Sequence, residues 1–447
     1  MSDAPTLTAA TVFADSAAAL HDFPQLLVGY SGGLDSTVLL HLAVQYWTSE
    51  RIRAVHVNHG LSRSADAWQE HAQDNCAALS VAFSAHRVDC RQSGNQEAAA
   101  RSERYAAFRR ELIDGGMLLL GHHADDQVET VLYHLLRGSG SRGLAGIPAN
   151  RKLGPGYLAR PLLRLTRADL LAYGRHHGLR WIDDHSNANV NFDRNFLRHR
   201  VVPAIAERWP DHASRIASSA ARSREANTLA SSVFRTDLER LDRRDERSGL
   251  SIGISQLSLL DSPRQRNIIR HMPSELGLQP PSLKAVEEVL KSCVSARAGA
   301  LPMVVCGNYQ YRRYRDKLYV VRALNEHADC AEKLIGWQLD GPLTLPGGGV
   351  LMASEEQSLG LRLAASTTVE VGFRRGGERC RPVGRGHSQW LKKLFQEYGL
   401  EPWWRSSIPL IYAAGKLVAV GDLWICEGWQ VGVGERGLKI HWRSNSV

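Results

Sequence analysis

Two short polar runs carry the chemistry that this chain could perform. The first is Ser31-Gly32-Gly33-Leu34-Asp35-Ser36, set between the apolar run Gln25–Gly29 and a helical pattern over Thr37–Tyr46. A loop between a buried strand and a helix start can bind an anion, because unpaired backbone N–H groups point outward there. Gly32 and Gly33 allow close backbone approach, and Ser31 and Ser36 can donate hydroxyl hydrogen bonds. A plain strand–turn–helix would use the same residue types. Two details favour a nucleotide. No lysine lies near the loop, which excludes a Walker-type grip on β- and γ-phosphates. Asp35 places a carboxylate beside the anion, an arrangement that calls for a divalent cation between them.

The second run is Gly121–Thr130 (GHHADDQVET), directly after the apolar Met117–Leu120. On a helix, His122, Asp126 and Glu129 fall at i, i+4 and i+7 and share one face. Open α/β sheets bind ligands beyond their strand ends, so this face should look toward the first loop. Hydrophilic groups crowded at a buried helix entrance are costly unless they bind something. The plainer alternative makes Asp125 an acid favoured by the helix dipole and His122 a cap. The spacing is not H-E-x-x-H, so zinc is disfavoured. Magnesium held by carboxylates and phosphates is the expectation.

The elements that must position these runs alternate along the first part of the chain. Strand patterns at Ile52–Val57 and Val81–Val88 join those at 25–29 and 117–120, with helices expected over about 65–79, 96–114 and 123–137. Thr166–Asp169 opens another helix with a capping-box pattern. This is the alternation of a parallel-sheet α/β nucleotide-binding domain, expected over 1–210. A polar helical linker follows over 211–245, then an α-rich middle domain over 246–330 ending in a hairpin at Tyr309–Val321. A small α+β domain is expected over 365–443, beyond a Pro/Gly-rich turn at Gly341–Gly349.

At 447 residues, 43% hydrophobic and 23% charged, the composition is that of a globular protein with several cores. No run approaches the ~18 apolar residues of a membrane helix. No Lys or Arg precedes Arg51, so a secretory leader is not expected and the cytoplasm is the default. Seven scattered cysteines without a C-x-x-C pair argue against a disulfide framework, a zinc site or an iron–sulfur site. The net charge of +9 matters less than its distribution. Arg374, Arg375, Arg379, Arg381 and Arg385, then Lys392 and Lys393, form a dense basic cluster spaced by glycines, which suits phosphate contact.

The hexapeptide S-G-G-L-D-S resembles the pyrophosphatase loop of the N-type ATP pyrophosphatase superfamily, whose members cleave ATP between the α- and β-phosphates and adenylate a substrate oxygen. Further strings narrow the likeness. Val55–Leu61 (VHVNHGL), Glu97–Tyr105, Gly121–Pro148, Arg160-Pro161-Leu162-Leu163, Asp183–Asn187 with Arg194, Asn195 and Arg198, and Gly372–Arg385 all resemble the tRNA(Ile)-lysidine synthetases. The likeness spans nearly the whole chain, though 211–340 matches only in general character.

That resemblance implies ATP, Mg2+, L-lysine and the CAU-anticodon tRNA(Ile) as ligands, with no membrane partner; a homodimer is compatible with it and not required. It implies that Ser31, Gly32, Gly33, Leu34, Asp35, Ser36, Val57, His59, Gly60 and Arg104 bind ATP. Asp35, His122, Asp125, Asp126 and Glu129 would serve catalysis, the last three also binding or deprotonating lysine, and Asp35 and Asp126 would be the carboxylates that hold magnesium. Arg137, Arg194 and Arg198 would contact RNA or phosphate, with the C-terminal Arg374, Arg375, Arg379, Arg381, Lys392 and Lys393 holding tRNA. The rivals are a tRNA thiolase, which would need sulfur-carrying cysteines near these motifs, a small-molecule amidating synthetase, and a non-catalytic tRNA-binding protein, which would not need Asp35 and Asp126.

Overall fold

The computed structural model describes residues 7–13, 23–60, 64–88, 96–183, 190–247, 249–297, 299–323, 334–346 and 349–443. Asp184–Asn187, Leu61, Cys90 and Cys330 lie outside these. The chain forms two compact units, 1–229 and 230–447.

In the first unit β1 (Leu26–Gly29) feeds α1 (Leu34–Tyr46), β2 (Ile52–Asn58) feeds α2 (Ala65–Ala78), and β3 (Ala82–Arg87) feeds α3 (Gln96–Glu111). β4 (Met117–Leu119) then leads into α4 (Ala124–Leu136), and the hairpin β5 (Asn150–Leu153) and β6 (Gly156–Ala159) precedes α5 (Arg167–His176). The sheet runs β3-β2-β1-β4-β6-β5, parallel except where β5 pairs antiparallel with β6.

Successive residues of β1 enter different cores. Leu26 and Val28 pack with Val38, Leu39 and Leu42 of α1 and with Leu170 and Tyr173 of α5. Leu27 packs on the other face with Tyr105 and Phe108 of α3. Helices therefore cover both faces, which is why the strands read as continuous apolar runs. Burying one such leucine contributes about 2 kcal/mol. The order reverses at β1, whose neighbours are β2 and β4, so the loops leaving β1 and β4 open side by side at a topological switch point.

A long helix, α6 (His212–Leu238), follows. The second unit begins with a five-stranded antiparallel sheet in the order β7 (Arg244–Glu246), β8 (Gly249–Gly253), β11 (Lys317–Arg322), β10 (Tyr309–Tyr314) and β9 (Met303–Cys306), of which the sequence pattern displayed only the hairpin of β10 and β11. β8 (Gly249–Gly253) has glycine at both ends and sits between β7 (Arg244–Glu246) and β11, so its strand character comes from its neighbours. Helices α7 (Ser262–His271) and α8 (Leu283–Val289) supply Ile268, Ile269, Val286 and Val289 to the core beneath this sheet.

The remainder holds a five-stranded and a three-stranded sheet, the short hairpin of Arg379–Cys380 with Gln389–Trp390, and α9 (Leu391–Glu397). Cys380 and Cys426 are joined there as a buried disulfide with Cα atoms 6.0 Å apart. Their separation of 46 residues left no spacing signal, so this pair was not foreseen, though one bridge is not the disulfide framework that the scattered cysteines argue against.

Candidate active site

The loop after β1 is organised by its own hydroxyls. Ser36 Oγ accepts from the Ser31 N–H at 3.2 Å, lies 3.1 Å from Ser31 Oγ, and donates to the Gly33 carbonyl at 3.0 Å. Gly33 precedes α1 and provides no side-chain cap, so the first N–H groups of that helix remain available to an anion. Gly32 has φ +83°, a left-handed conformation that glycine adopts without strain. The loop after β4 presses against it. A Cβ on Gly121 would sit 2.9 Å from the Asp35 carbonyl oxygen, so only glycine permits this approach.

His123, which sequence reasoning passed over for its neighbour, joins the two loops. It is the buried N-cap of α4, with Nε2 at 3.7 Å from Asp35 and 3.6 Å from Asp126, and Nδ1 at 3.3 Å from Asp125. Asp126 accepts the His123 backbone N–H at 3.0 Å. Burial disfavours a charged ring, but the three carboxylates outweigh it and raise the His123 pKa. Burial likewise raises Asp35, against the pull of His123 and Arg167. Asp126 is lowered, because His123 and Arg194 together overcome its desolvation. Asp125, facing the His123 ring at 3.3 Å and accepting the Arg167 backbone N–H, falls to about 2.

His122 lies before α4 and not on it, so the i, i+4, i+7 face expected of His122, Asp126 and Glu129 holds only for the two acids. Its ring accepts from Arg160 Nε at 3.3 Å, and burial pushes its pKa down to about 3. Arg160 is buried, bonded also to the Pro148 carbonyl and to Tyr105, while Arg101 and Arg151 lie over the Tyr105 ring.

The acids of α4 are already engaged. Arg194 bonds Glu129 and Asp126, each at 2.7 Å, and Arg198 bonds Glu129 at 2.5 and 3.0 Å and Asp126 at 3.3 Å. Arg198 sits in a π-helical turn, Leu197–Val201, a distortion common at functional sites. These arginines, expected from the sequence to meet RNA or phosphate, here meet carboxylates. Arg137 stands at the far end of α4, about 16 Å along the axis from Asp126, and is paired with Tyr133.

β2 ends beside the phosphate loop: Tyr30 N–H donates to the Val55 carbonyl, and His56 Nδ1 lies 3.0 Å from the Tyr30 carbonyl oxygen. This brings Val57, His59 and Gly60 to the same edge. Arg104 approaches His59 at 3.4 Å, and burial with that cation lowers His59 to about 4. One further residue escaped the sequence reading: Arg167, whose guanidinium lies 3.3 and 3.5 Å from the two Asp35 carboxylate oxygens. Asp35 thus has a protein cation beside it, which the sequence pattern did not show.

In the second unit Arg375, Arg379, Arg381, Lys392 and Lys393 are exposed and Arg374 half-buried. Arg379 stacks over Trp390 at 5.0 Å and bonds the Ser388 carbonyl, and Arg381 bonds that of Arg385.

Comparison with known proteins matches residues 7–205 to a PP-loop domain, 253–319 to the TilS substrate binding domain and 369–442 to the TilS substrate C-terminal domain. A Coxiella burnetii protein called tRNA(Ile)-lysidine synthase is 39% identical over 92% of each chain. One of the same name from Alkalilimnicola ehrlichii is 41% identical over 89% of each. A solved U34-tRNA thiolase, NcsA from Methanococcus maripaludis, aligns at TM-score 0.38 and 17% identity over 45% of this chain and 73% of its own, too distant to bear on function.

Proposed function

The chain belongs to the tRNA(Ile)-lysidine synthase family, and from that premise we propose that it joins lysine to C2 of the wobble cytidine, position 34, of the CAU-anticodon tRNA(Ile). Decoding would change from AUG to AUA. The cytidine C2 oxygen attacks the α-phosphorus of ATP and pyrophosphate leaves; the lysine side-chain amine then attacks C2 and AMP leaves. The observation that carries this reading is the meeting of Asp35, His123 and Asp126 where the strand order reverses.

ATP phosphates are assigned to the Ser31–Ser36 loop and the start of α1, with the adenine near Val57, His59 and Gly60 and Arg104 alongside. Magnesium fits at Asp35 and Asp126, since both carboxylates converge on one His123 nitrogen and such an ion takes one or two carboxylates plus phosphate oxygens. When bound it offsets charge on the phosphates. Among the described residues no ready-made group of three metal-binding side chains exists, so phosphate oxygens would complete its shell.

Lysine is assigned to the paired charges at α4. Its α-ammonium and α-carboxylate need an anion and a cation side by side, which Asp126 and Glu129 with Arg194 and Arg198 supply. The side-chain amine then remains unheld and able to react. The C-terminal Arg374, Arg375, Arg379, Arg381, Lys392 and Lys393 are assigned to tRNA phosphates. No described helix is long and apolar enough to cross a membrane, and the cytoplasm is the compartment proposed. Sulfur transfer has no support: the described free cysteine of the nucleotide-binding unit, Cys76, is buried and its thiol pushed up to about 12.

The test separates the two halves. With ATP and CAU-anticodon tRNA the protein should release pyrophosphate, and AMP should follow only when lysine is added. Formation of ADP, or equal release with tRNAs lacking that anticodon, would overturn the assignment.

A further inference from the structure

The phosphate loop and α1 contain no lysine or arginine, yet a cation stands at the loop's only carboxylate. Arg167 reaches it from 132 residues away. Its backbone is fixed from several directions. Thr166 caps α5, with Thr166 Oγ1 accepting from Asp169 N–H and Asp169 accepting from Thr166 N–H at 2.8 Å. The Arg167 N–H donates to Asp125 at 2.8 Å, and the carbonyl of Leu165 accepts the N–H of Ala124, the first residue of α4. The guanidinium itself is 46% exposed and rests on Asp35.

An ion pair so open to water adds little to stability, which does not account for a backbone held this firmly. A planar guanidinium beside an anion-binding loop is instead the group that recognises phosphate oxygens in a bidentate way. Charge builds on the pyrophosphate as its bond to the α-phosphorus breaks, and a fixed donor aimed there lowers that barrier.

We propose that Arg167 is a catalytic residue of the ATP-cleaving half-reaction: its guanidinium binds the pyrophosphate oxygens and balances their growing charge, with Asp35 as its resting partner. This rests on the function proposed above. In the step, the bond from the α-phosphorus to the bridging oxygen breaks with its electron pair going to pyrophosphate, the bond to the cytidine C2 oxygen forms, and Arg167 transfers no proton. The chain thereby supplies from α5 the cation that other phosphate loops carry within themselves.

The test uses the full chain with R167Q and R167K. Affinity for inorganic pyrophosphate is measured by calorimetry without tRNA, and pyrophosphate release is followed in a single turnover with ATP and CAU-anticodon tRNA, lysine omitted. R167Q should bind pyrophosphate at least tenfold more weakly and release it about 10²–10³-fold more slowly, with tRNA affinity unchanged and R167K intermediate. Pyrophosphate affinity and release within threefold of wild type in R167Q would overturn the proposal, and should R167Q fail to fold, R167K decides by the same readouts. A wild-type protein that releases no pyrophosphate would refute the function instead, while calorimetry would still decide whether Arg167 binds the anion.

Discussion

Replacing Glu129 with glutamine keeps the side chain's volume and removes one charge from the paired cluster on α4. The carboxylate is 2% exposed and accepts from Arg194 Nε at 2.7 Å and from Arg198 Nε and Nη2 at 2.5 and 3.0 Å. Breaking a buried pair costs about 3–5 kcal/mol. The arginine side chains are 37% and 26% exposed, so water recovers part of that and about 2 kcal/mol is expected after screening. For a unit of this size the thermal transition should fall by about 4–8 °C. The same charge is assigned to the lysine α-ammonium, and losing one charge-assisted contact of about 1.5–3 kcal/mol raises the KM for lysine about 10–150-fold. Steady-state lysidine formation with lysine varied measures this. Pyrophosphate release without lysine should stay within threefold of wild type, because Glu129 touches neither Asp35 nor the phosphate loop in any described contact. A lysine KM within threefold of wild type, or equal losses in both half-reactions, would rule out Glu129 as the partner of the lysine α-ammonium.

Three further outcomes are expected. Asp35→Ala should slow pyrophosphate release at least ~10²-fold and leave tRNA binding within a factor of two in filter binding; normal turnover would remove Asp35 from the chemistry. Changing Arg374, Arg375, Arg379 and Arg381 together to glutamine should flatten the plot of log affinity for tRNA against log salt by about 3 units of slope, and an unchanged slope would leave that cluster without a role in RNA binding. His123 has a raised pKa, so its pairing contributes fully below the unfolded value of 6.5 and is lost as pH rises through the higher folded value. Hydrogen exchange of α4 amides should therefore show the protection lost on H123N shrinking from pH 6 to pH 9; a pH-independent difference would contradict a charged His123.

Much of the nucleotide-binding unit was legible because its signals are local. The strand, the glycine-serine loop and the helix that follow one another at 25–46 can be read in a single window, and so can the acids at the start of α4. Which histidine ring faces the carboxylates depended on one residue of register. His122 counts with Asp126 and Glu129 only if the helix includes it, and the helix begins at Ala124, turning His123 to the carboxylates and His122 to Arg160. Arg167 could not be found by spacing, because the β5–β6 hairpin and a crossover separate it from Asp35 along the chain. Arg194 and Arg198 were visible as basic residues, but charge alone does not say whether the partner is a phosphate or a carboxylate. In the middle sheet, short glycine-ended β8 carries little strand pattern of its own and is defined by pairing with β7 and β11.

The most direct test of the account is to incubate the purified chain with ATP, labelled L-lysine and CAU-anticodon tRNA(Ile), then digest the RNA and analyse position 34. One lysine per tRNA is expected, attached at that cytidine, dependent on ATP and matched by one AMP and one pyrophosphate. ATP cleavage with no label at position 34, or label transferred equally to a tRNA with uridine there, would contradict it.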